Sequence, residues 1–262
     1  MSKTTEKKVV LVIVEGQTDA DALTASLEDV FAGDEVAVEI TRCDLTTEIG
    51  VDGIRVDAAN VRNSVGNVVK RYLARNHFIR KSDLLRVIHL VDTDGAFVPV
   101  EVVTEDKMLE GTVYSENGIT THWKKGIEAR NKQKSKVLRA LVKTNFILDV
   151  VPYHVFFMSC NLEHVLHDKM NCNFAEKEKF AYQFAKQYFG NVEGFKAFFE
   201  NSVVAVKGDY AKSWQEIEKG LESLRRHTNL GLSWVEASWK VNFPSVVGCS
   251  QDVVDCNSKS SV

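Results

Sequence analysis

Two stretches of the chain are apolar at nearly every position, Val9 to Val14 and Leu85 to Val91. Short runs rich in branched side chains and without alternation are what strands covered on both faces require, so a parallel sheet with helices on each side is expected. Between the two runs the period changes. Leu23, Leu27, Val30 and Phe31 recur at helical spacing before Gly33, with Thr18 and Asp21 as a capping box. Val36, Val38 and Ile40 alternate with Ala37 and Glu39, the pattern of a strand with one more exposed face. Val61, Val65, Val68, Val69, Tyr72 and Leu73 then form the stripe of a second helix, capped by Asp57 and ending near Asn76. Strand, helix, strand, helix, strand is the order of βαβ units.

Beyond Gly95 the pattern weakens. Residues 96 to 121, with Pro99, Gly111 and Gly118, read as loop. From Lys124 to Lys143 the chain is strongly basic, and Val137, Leu138, Leu141 and Val142 supply the inward face of a helix. Its cations Lys124, Lys125, Arg130, Lys132, Lys134, Lys136, Arg139 and Lys143 are then expected on an outer surface. Val155 to Met158 reads as another buried strand, leading into a helix that carries Glu163. Apolar spacing predicts helices over 174–189, 192–199 and 211–227, with Val203 to Val206 as a short strand candidate. Trp234 and Trp239 suggest a docked terminal helix, which in a partner subunit would instead be an exposed contact. The predicted division is an α/β domain over residues 1–160, a helical region packed on it over 161–250, and a disordered tail over 251–262. With 262 residues, 44% of them hydrophobic, the chain can bury a substantial core.

Composition narrows the function classes. A net charge of −3 gives no global footprint for nucleic acid, so any such binding must be local. Five cysteines without regular spacing do not form a disulfide framework, and reduced thiols of a cytoplasmic protein are expected. Met1 to Lys8 is polar, with no apolar core of a signal peptide, and no run reaches the length of a membrane span. Cys160, His164, His167 and Cys172 lie close in sequence, but a helix would separate the cysteines, so packing is expected there rather than zinc.

The chemistry gathers where the two apolar runs stop. The first ends at Val14-Glu15-Gly16 and the second at Asp92-Thr93-Asp94-Gly95. Ligands of open α/β sheets bind beyond the carboxyl ends of the strands. Side chains two apart on extended backbone share a side, so Asp92 and Asp94 are expected to aim together if the strand continues through them, with Glu15 reaching in from a neighbouring strand. Three carboxylates brought together take up protons unless a cation sits among them. Magnesium prefers hard oxygen ligands and needs only a few carboxylates plus substrate phosphates. Either motif alone also reads as a simple turn, since Glu-Gly and Asp-Thr-Asp-Gly are turn compositions.

Leu11-Val12-Ile13-Val14-Glu15-Gly16-Gln17-Thr18-Asp19 and His89-Leu90-Val91-Asp92-Thr93-Asp94-Gly95 resemble, in that order, the glutamate and Asp-x-Asp motifs of the TOPRIM family. This is the metal-binding module of topoisomerases, bacterial primases, ribosomal-RNA maturases and OLD-type nucleases. The resemblance covers the first third to half of the chain. It implies a TOPRIM-like, mainly parallel sheet flanked by helices, with the remaining helical region at the C-terminal side. It also implies Mg2+ (or Mn2+) held by Glu15, Asp92 and Asp94, with Asp19 as a further ligand in the manner of OLD-type nucleases. Ser159 and Glu163 are similar to the Ser-Asn...Glu segment of RloB-like proteins, which are associated with phage defence, although the spacing here departs from that pattern. The resemblance implies Glu163 as a further metal ligand, whereas the residues alone read as Ser159 capping a helix that carries Glu163. Lys207 is the basic residue that an OLD-type comparison offers for offsetting charge on the phosphate.

With no tyrosine suitably placed for a covalent intermediate and no accompanying zinc ribbon, the resemblance points to a metal-dependent nuclease acting on DNA or RNA. The Lys124, Lys125, Arg130, Lys132, Lys134 and Lys136 segment reads equally as a solvated face or as a phosphate-tracking patch. No nucleotide-binding Gly-x-x-x-x-Gly-Lys-Ser/Thr motif is present, so an ATPase partner would be a separate chain. Two alternatives stay open: a haloacid-dehalogenase-like phosphatase with Asp92 as nucleophile, and a non-catalytic partner subunit of an ATPase.

Overall fold

A computed structural model describes residues 8–31, 36–46 and 55–235. Gly33, Trp239 and the 251–262 segment lie outside them. The described elements begin with β1 (Lys8–Val14), α1 (Gln17–Phe31), β2 (Val36–Arg42), α2 (Val61–Arg75) and β3 (Leu84–Asp92). After a small sheet come α3 (Lys124–Val142), β7 (Phe146–Ile147), β8 (Val151–Met158), α4 (Leu162–His167), α5 (Phe174–Tyr188), α6 (Val192–Asn201) and α7 (Tyr210–Ile217). The main sheet has the order β2-β1-β3-β8-β7. Its first four strands are parallel, and β7 is an antiparallel edge.

The unbroken apolar character of β1 follows from its position. Val9, Leu11 and Ile13 enter a core shared with α2, α3 and α7, whereas Val10, Val12 and Val14 enter one shared with α1, α4, α5 and α6. Every position is therefore covered, and full burial of each such side chain contributes about 1.5–3 kcal/mol. The chain is an α/β protein with helices on both faces of a mostly parallel sheet. Among the described residues no helix is long and apolar enough to cross a membrane.

The strand order also fixes where a site can form. From β1 the chain crosses over α1 to β2 on one side, then over α2 back to β3 on the other side of β1. Right-handed crossovers in opposite directions place their helices on opposite faces, as the two cores show. A crevice opens between β1 and β3 at their carboxyl ends, where the winding reverses.

Several local expectations are corrected. Helix α1 is not opened by Thr18 with Asp21: the Gly16 N–H donates to Asp19 Oδ2 at 2.8 Å, two residues earlier than expected. Asp57 organises the turn before α2, accepting from the Ala59 and Asn60 amides, and Asn60 holds the cap position. Residues 96–121 are not all loop. They contain β4 (Val103–Glu105), β5 (Thr112–Ser115) and β6 (Gly118–Thr121), a sheet ordered β4-β6-β5. Its strands are three or four residues long and rich in Thr, too short to show a period. The helix expected over 211–227 ends at Ile217, and Val203 to Val206 contributes only a single bridge, from Ala205 to Thr228. Trp234 is not an exposed contact surface, because it packs edge-on against Phe31 and Phe199 and tilted on Phe195.

Candidate carboxylate site at the sheet switch point

Glu15 follows the last residue of β1 and Asp92 ends β3, the neighbouring strand. The register pairs Ile13 with His89, so the two acids reach nearly the same level at the edge of the crevice. A third acid comes from β2. Val14 pairs with Arg42 and the Cys43 amide donates to Val14 O at 2.9 Å, which carries Asp44 alongside Glu15. The Thr46 hydroxyl lies 2.9 Å from both Glu15 Oε1 and Asp44 Oδ1. One hydroxyl proton serves one acceptor, so the arrangement is completed when Glu15 carries a proton of its own.

Asp94 does not continue the strand. It sits at φ 48°, followed by Gly95 at φ 64°, so the side chain is turned out of the two-residue alternation expected for an extended Asp-x-Asp. Hydrogen bonds hold this turn in place. The Thr93 amide donates to Met158 O at 3.0 Å and the Asp94 amide to Cys160 O at 2.8 Å, while the Thr93 hydroxyl reaches Ser223 O. Arg130 donates to Asp94 O at 2.7 Å and to the Tyr114 hydroxyl. At Gly95 a Cβ would meet Ile119 and Leu224 side chains at 2.9 Å, so the close approach of the small sheet requires glycine there.

Lys134 is the principal correction to the sequence reading. Although it belongs to the basic segment, it is not on the outer surface: it is 1% exposed and its ammonium lies 2.5 Å from Asp94 Oδ2 and 3.8 Å from Glu15 Oε1. Burial alone would lower its pKa, but the Asp94 and Glu15 carboxylates outweigh burial and raise it. Position 134 falls three and four residues before Val137 and Leu138, on the inward stripe of α3, which is why it points into the site. Arg130 is half-buried one turn earlier. Lys124 is half-buried, and Lys125, Lys132 and Lys136 are exposed.

On the α1 side of Asp92 stand Asp19 and Glu163. Glu163 is 4% exposed and pairs with Lys177 of α5 at 3.1 Å. A cavity of about 10 Å3, the space of about one water-sized sphere, is bordered by Asp19, Asp92, Leu23, Leu90, Val91, Met158 and Leu162. Asp92 therefore lies between two acidic groups: Glu15, Asp44 and Asp94 around Lys134, and Asp19 and Glu163 beside Lys177.

The electrostatics follow from this crowding. Burial, and to a smaller extent Asp44 and Asp94, push the Glu15 carboxyl up to about 8 despite the opposing Lys134. Burial followed by Glu15, Asp19 and Asp94 raises Asp92 well above the usual carboxylate range. Asp19 is raised as well, by burial and then Glu163, against the Gly16 amide. Among the described residues six acids face two lysines, and the imbalance favours the protonated forms of Glu15, Asp92 and Asp19. The donor set is all hard oxygen and carries uncompensated negative charge, which fits a divalent cation of the magnesium type; such an ion needs only one or two carboxylates besides substrate oxygens. Among the described residues no three His, Cys, Asp or Glu side chains are gathered closely enough to close around a metal by themselves. Lys134 already supplies one positive charge at the Glu15–Asp94 pair.

The remaining sequence candidates lie elsewhere. Ser159 is fully buried and donates to Glu222 O at 2.9 Å, and Asn161, not Ser159, caps α4. Lys207 is exposed, in a groove with Phe199, Asn229 and Gly231 that shares no residue with the acidic cluster. Cys160 is buried, His164 lies 3.6 Å from Asp168, and His167 meets Phe180 O at 3.0 Å. Two residues escaped the sequence reading, Asp44 and Lys177. Asp44 was accessible by the rule that marked Glu15 and Asp92, an acid just past the end of a strand. Lys177 had no local signal, since only the packing of α5 on α1 brings it to Glu163.

Comparison of the chain with models of known protein families, with curated proteins and with solved structures finds no match.

Proposed function

We propose that this chain is a divalent-metal-dependent nuclease of the TOPRIM type, hydrolysing phosphodiester bonds of DNA or RNA. The observation that supports this reading is the placement of Glu15, Asp92 and Asp94 within electrostatic reach of one another at the switch point of a parallel sheet, half-buried and short of positive charge. The side chains of Glu15 and Asp94 keep 13% and 24% of their exposure, so the cluster is open to a substrate. Asp92, with one of the two acids that act on it most strongly, Glu15 or Asp19, would hold Mg2+ or Mn2+. When bound, the cation would polarise the phosphoryl oxygens and offset their developing charge.

The protein's own groups provide the rest. Glu15, raised to about 8, can hold or release a proton near neutral pH, the property of a general acid–base. Lys134 fixes Asp94 and keeps its neighbours from repelling one another, and Arg130 anchors the Asp94 backbone. Burial removes competing water and strengthens each of these interactions. Incubation with supercoiled, linear and single-stranded DNA and with RNA, with Mg2+ or Mn2+ and with chelator, tests the proposal. Metal-dependent cleavage abolished in both Glu15→Ala and Asp92→Ala is expected. Cleavage surviving in both variants, or hydrolysis confined to small phosphate esters, would refute it.

A further inference from the structure

A groove of about 540 Å3 begins at Ala96, two residues beyond Asp94, and runs between the 96–103 segment and α3. Its two walls differ in chemistry. One is apolar, with Phe97, Val98, Val100 and Val103, and Val100 is 56% exposed. The other carries Lys125, Lys132 and Arg139. A spacing of seven residues is close to two helical turns, so these cations form one row along α3, about 10 Å apart. Arg139 is engaged, donating twice to Glu218 and lying over the Phe97 ring at 5.2 Å. Lys125 and Lys132 are exposed and form no ion pair among the described residues. Glu128, the acid in the groove, faces Lys124 at 3.8 Å.

We infer that this groove takes a single-stranded polynucleotide, its phosphates along the α3 row and its bases against the Phe97–Val100 wall, and leads the strand to the carboxylate site. The inference rests on the nuclease reading and specifies its substrate. Duplex nucleic acid presents a backbone of phosphates and would engage the lysines alone. An apolar wall opposite the cations is useful only to bases that have left the stack. The groove shares no residue with the acidic cluster, and its end at Ala96, two residues from Asp94, is what directs such a strand toward the acids. Arg130 and Lys134, the cations of α3 that face Asp94, are occupied in holding its turn.

Fluorescence anisotropy with end-labelled 20-nucleotide single-stranded DNA, single-stranded RNA and duplex DNA, on the full chain in chelator, tests the inference without cleavage. Single strands should bind about 10-fold tighter than duplex, the scale of covering one or two exposed methyl groups of Val100 with a base. Val100→Ser, a neutral change at an exposed position, should weaken single-strand binding by several-fold and leave duplex binding unchanged. Lys132→Glu should weaken both, and more so at low salt. Whichever single strand binds tighter identifies DNA or RNA as the substrate. Equal affinity for single strand and duplex, an unaffected Val100→Ser, an unaffected Lys132→Glu, or no binding at all overturns the inference. Binding is measured apart from cleavage, so a chain that grips single strands without cutting them sinks only the nuclease reading. One that cuts without strand preference sinks only this inference.

Discussion

Replacing Lys134 by methionine removes one charge while nearly preserving shape, and the structure gives the consequence a size. The ammonium is 1% exposed, in contact with Asp94 and within 3.8 Å of Glu15. Its loss leaves two carboxylates facing each other and Asp92 with no internal cation, and breaking a buried pair in this way costs about 3–5 kcal/mol. The carboxyls can limit the loss by taking up protons. The cost should therefore be largest near pH 8 and shrink toward pH 5, where Glu15 is already protonated in the fold. Urea denaturation followed by circular dichroism at both pH values measures it. The double variant Lys134→Met with Asp94→Asn should recover much of the stability, because the neutral amide needs no counter-charge. Added Mg2+ should also stabilise the single variant, by an amount that grows with the logarithm of its concentration once the site fills. A loss under about 1 kcal/mol, equal at both pH values, would refute the assignment of Lys134 as the internal counter-ion.

Other consequences can be checked with the same protein. Glu15 keeps its proton in the fold up to about pH 8 but releases it near 4.5 when unfolded, so the native state binds more protons between these values and stability falls as pH rises through that window. Glu15→Gln should flatten this decline in the denaturation midpoints and be the more stable chain at pH 8. Asp92→Asn should abolish metal-dependent cleavage while raising metal-free stability by about 0.5–2 kcal/mol, measured by thermal melting, since it removes the most crowded acid. Gly95→Ala should destabilise by about 1–2 kcal/mol from the left-handed backbone alone and lower cleavage further by displacing Asp94; melting and rate measurements on one preparation separate the two effects.

Much of the sheet was legible because β1 and β3 are covered on both faces, and full coverage writes itself into sequence as an unbroken apolar run. The acids at their ends were legible for the same reason, standing where such a run stops. The direction of Asp94 was not, because it depends on a left-handed turn pinned by Met158, Cys160 and Ser223, residues distant in sequence. Lys134 was hidden by its company. Among so many cations on α3 nothing but the helical phase relative to Val137 and Leu138 distinguishes the one that points inward, and that phase was applied to the apolar residues alone. The small sheet was missed because three or four residues rich in Thr carry too little periodicity to separate strand from loop. Trp234 illustrates the limit of counting aromatics: its environment is set by Phe195 and Phe199 on a different helix.

The most direct test of the shared-cation site is calorimetric titration of Mn2+ into the metal-free chain at pH 7, repeated in buffers of different ionisation heat. Saturable binding is predicted, with release of the proton that Glu15 holds in the absence of metal, and its loss in Asp92→Asn. Absence of saturable binding, or binding unchanged by that substitution and without proton release, would contradict the account.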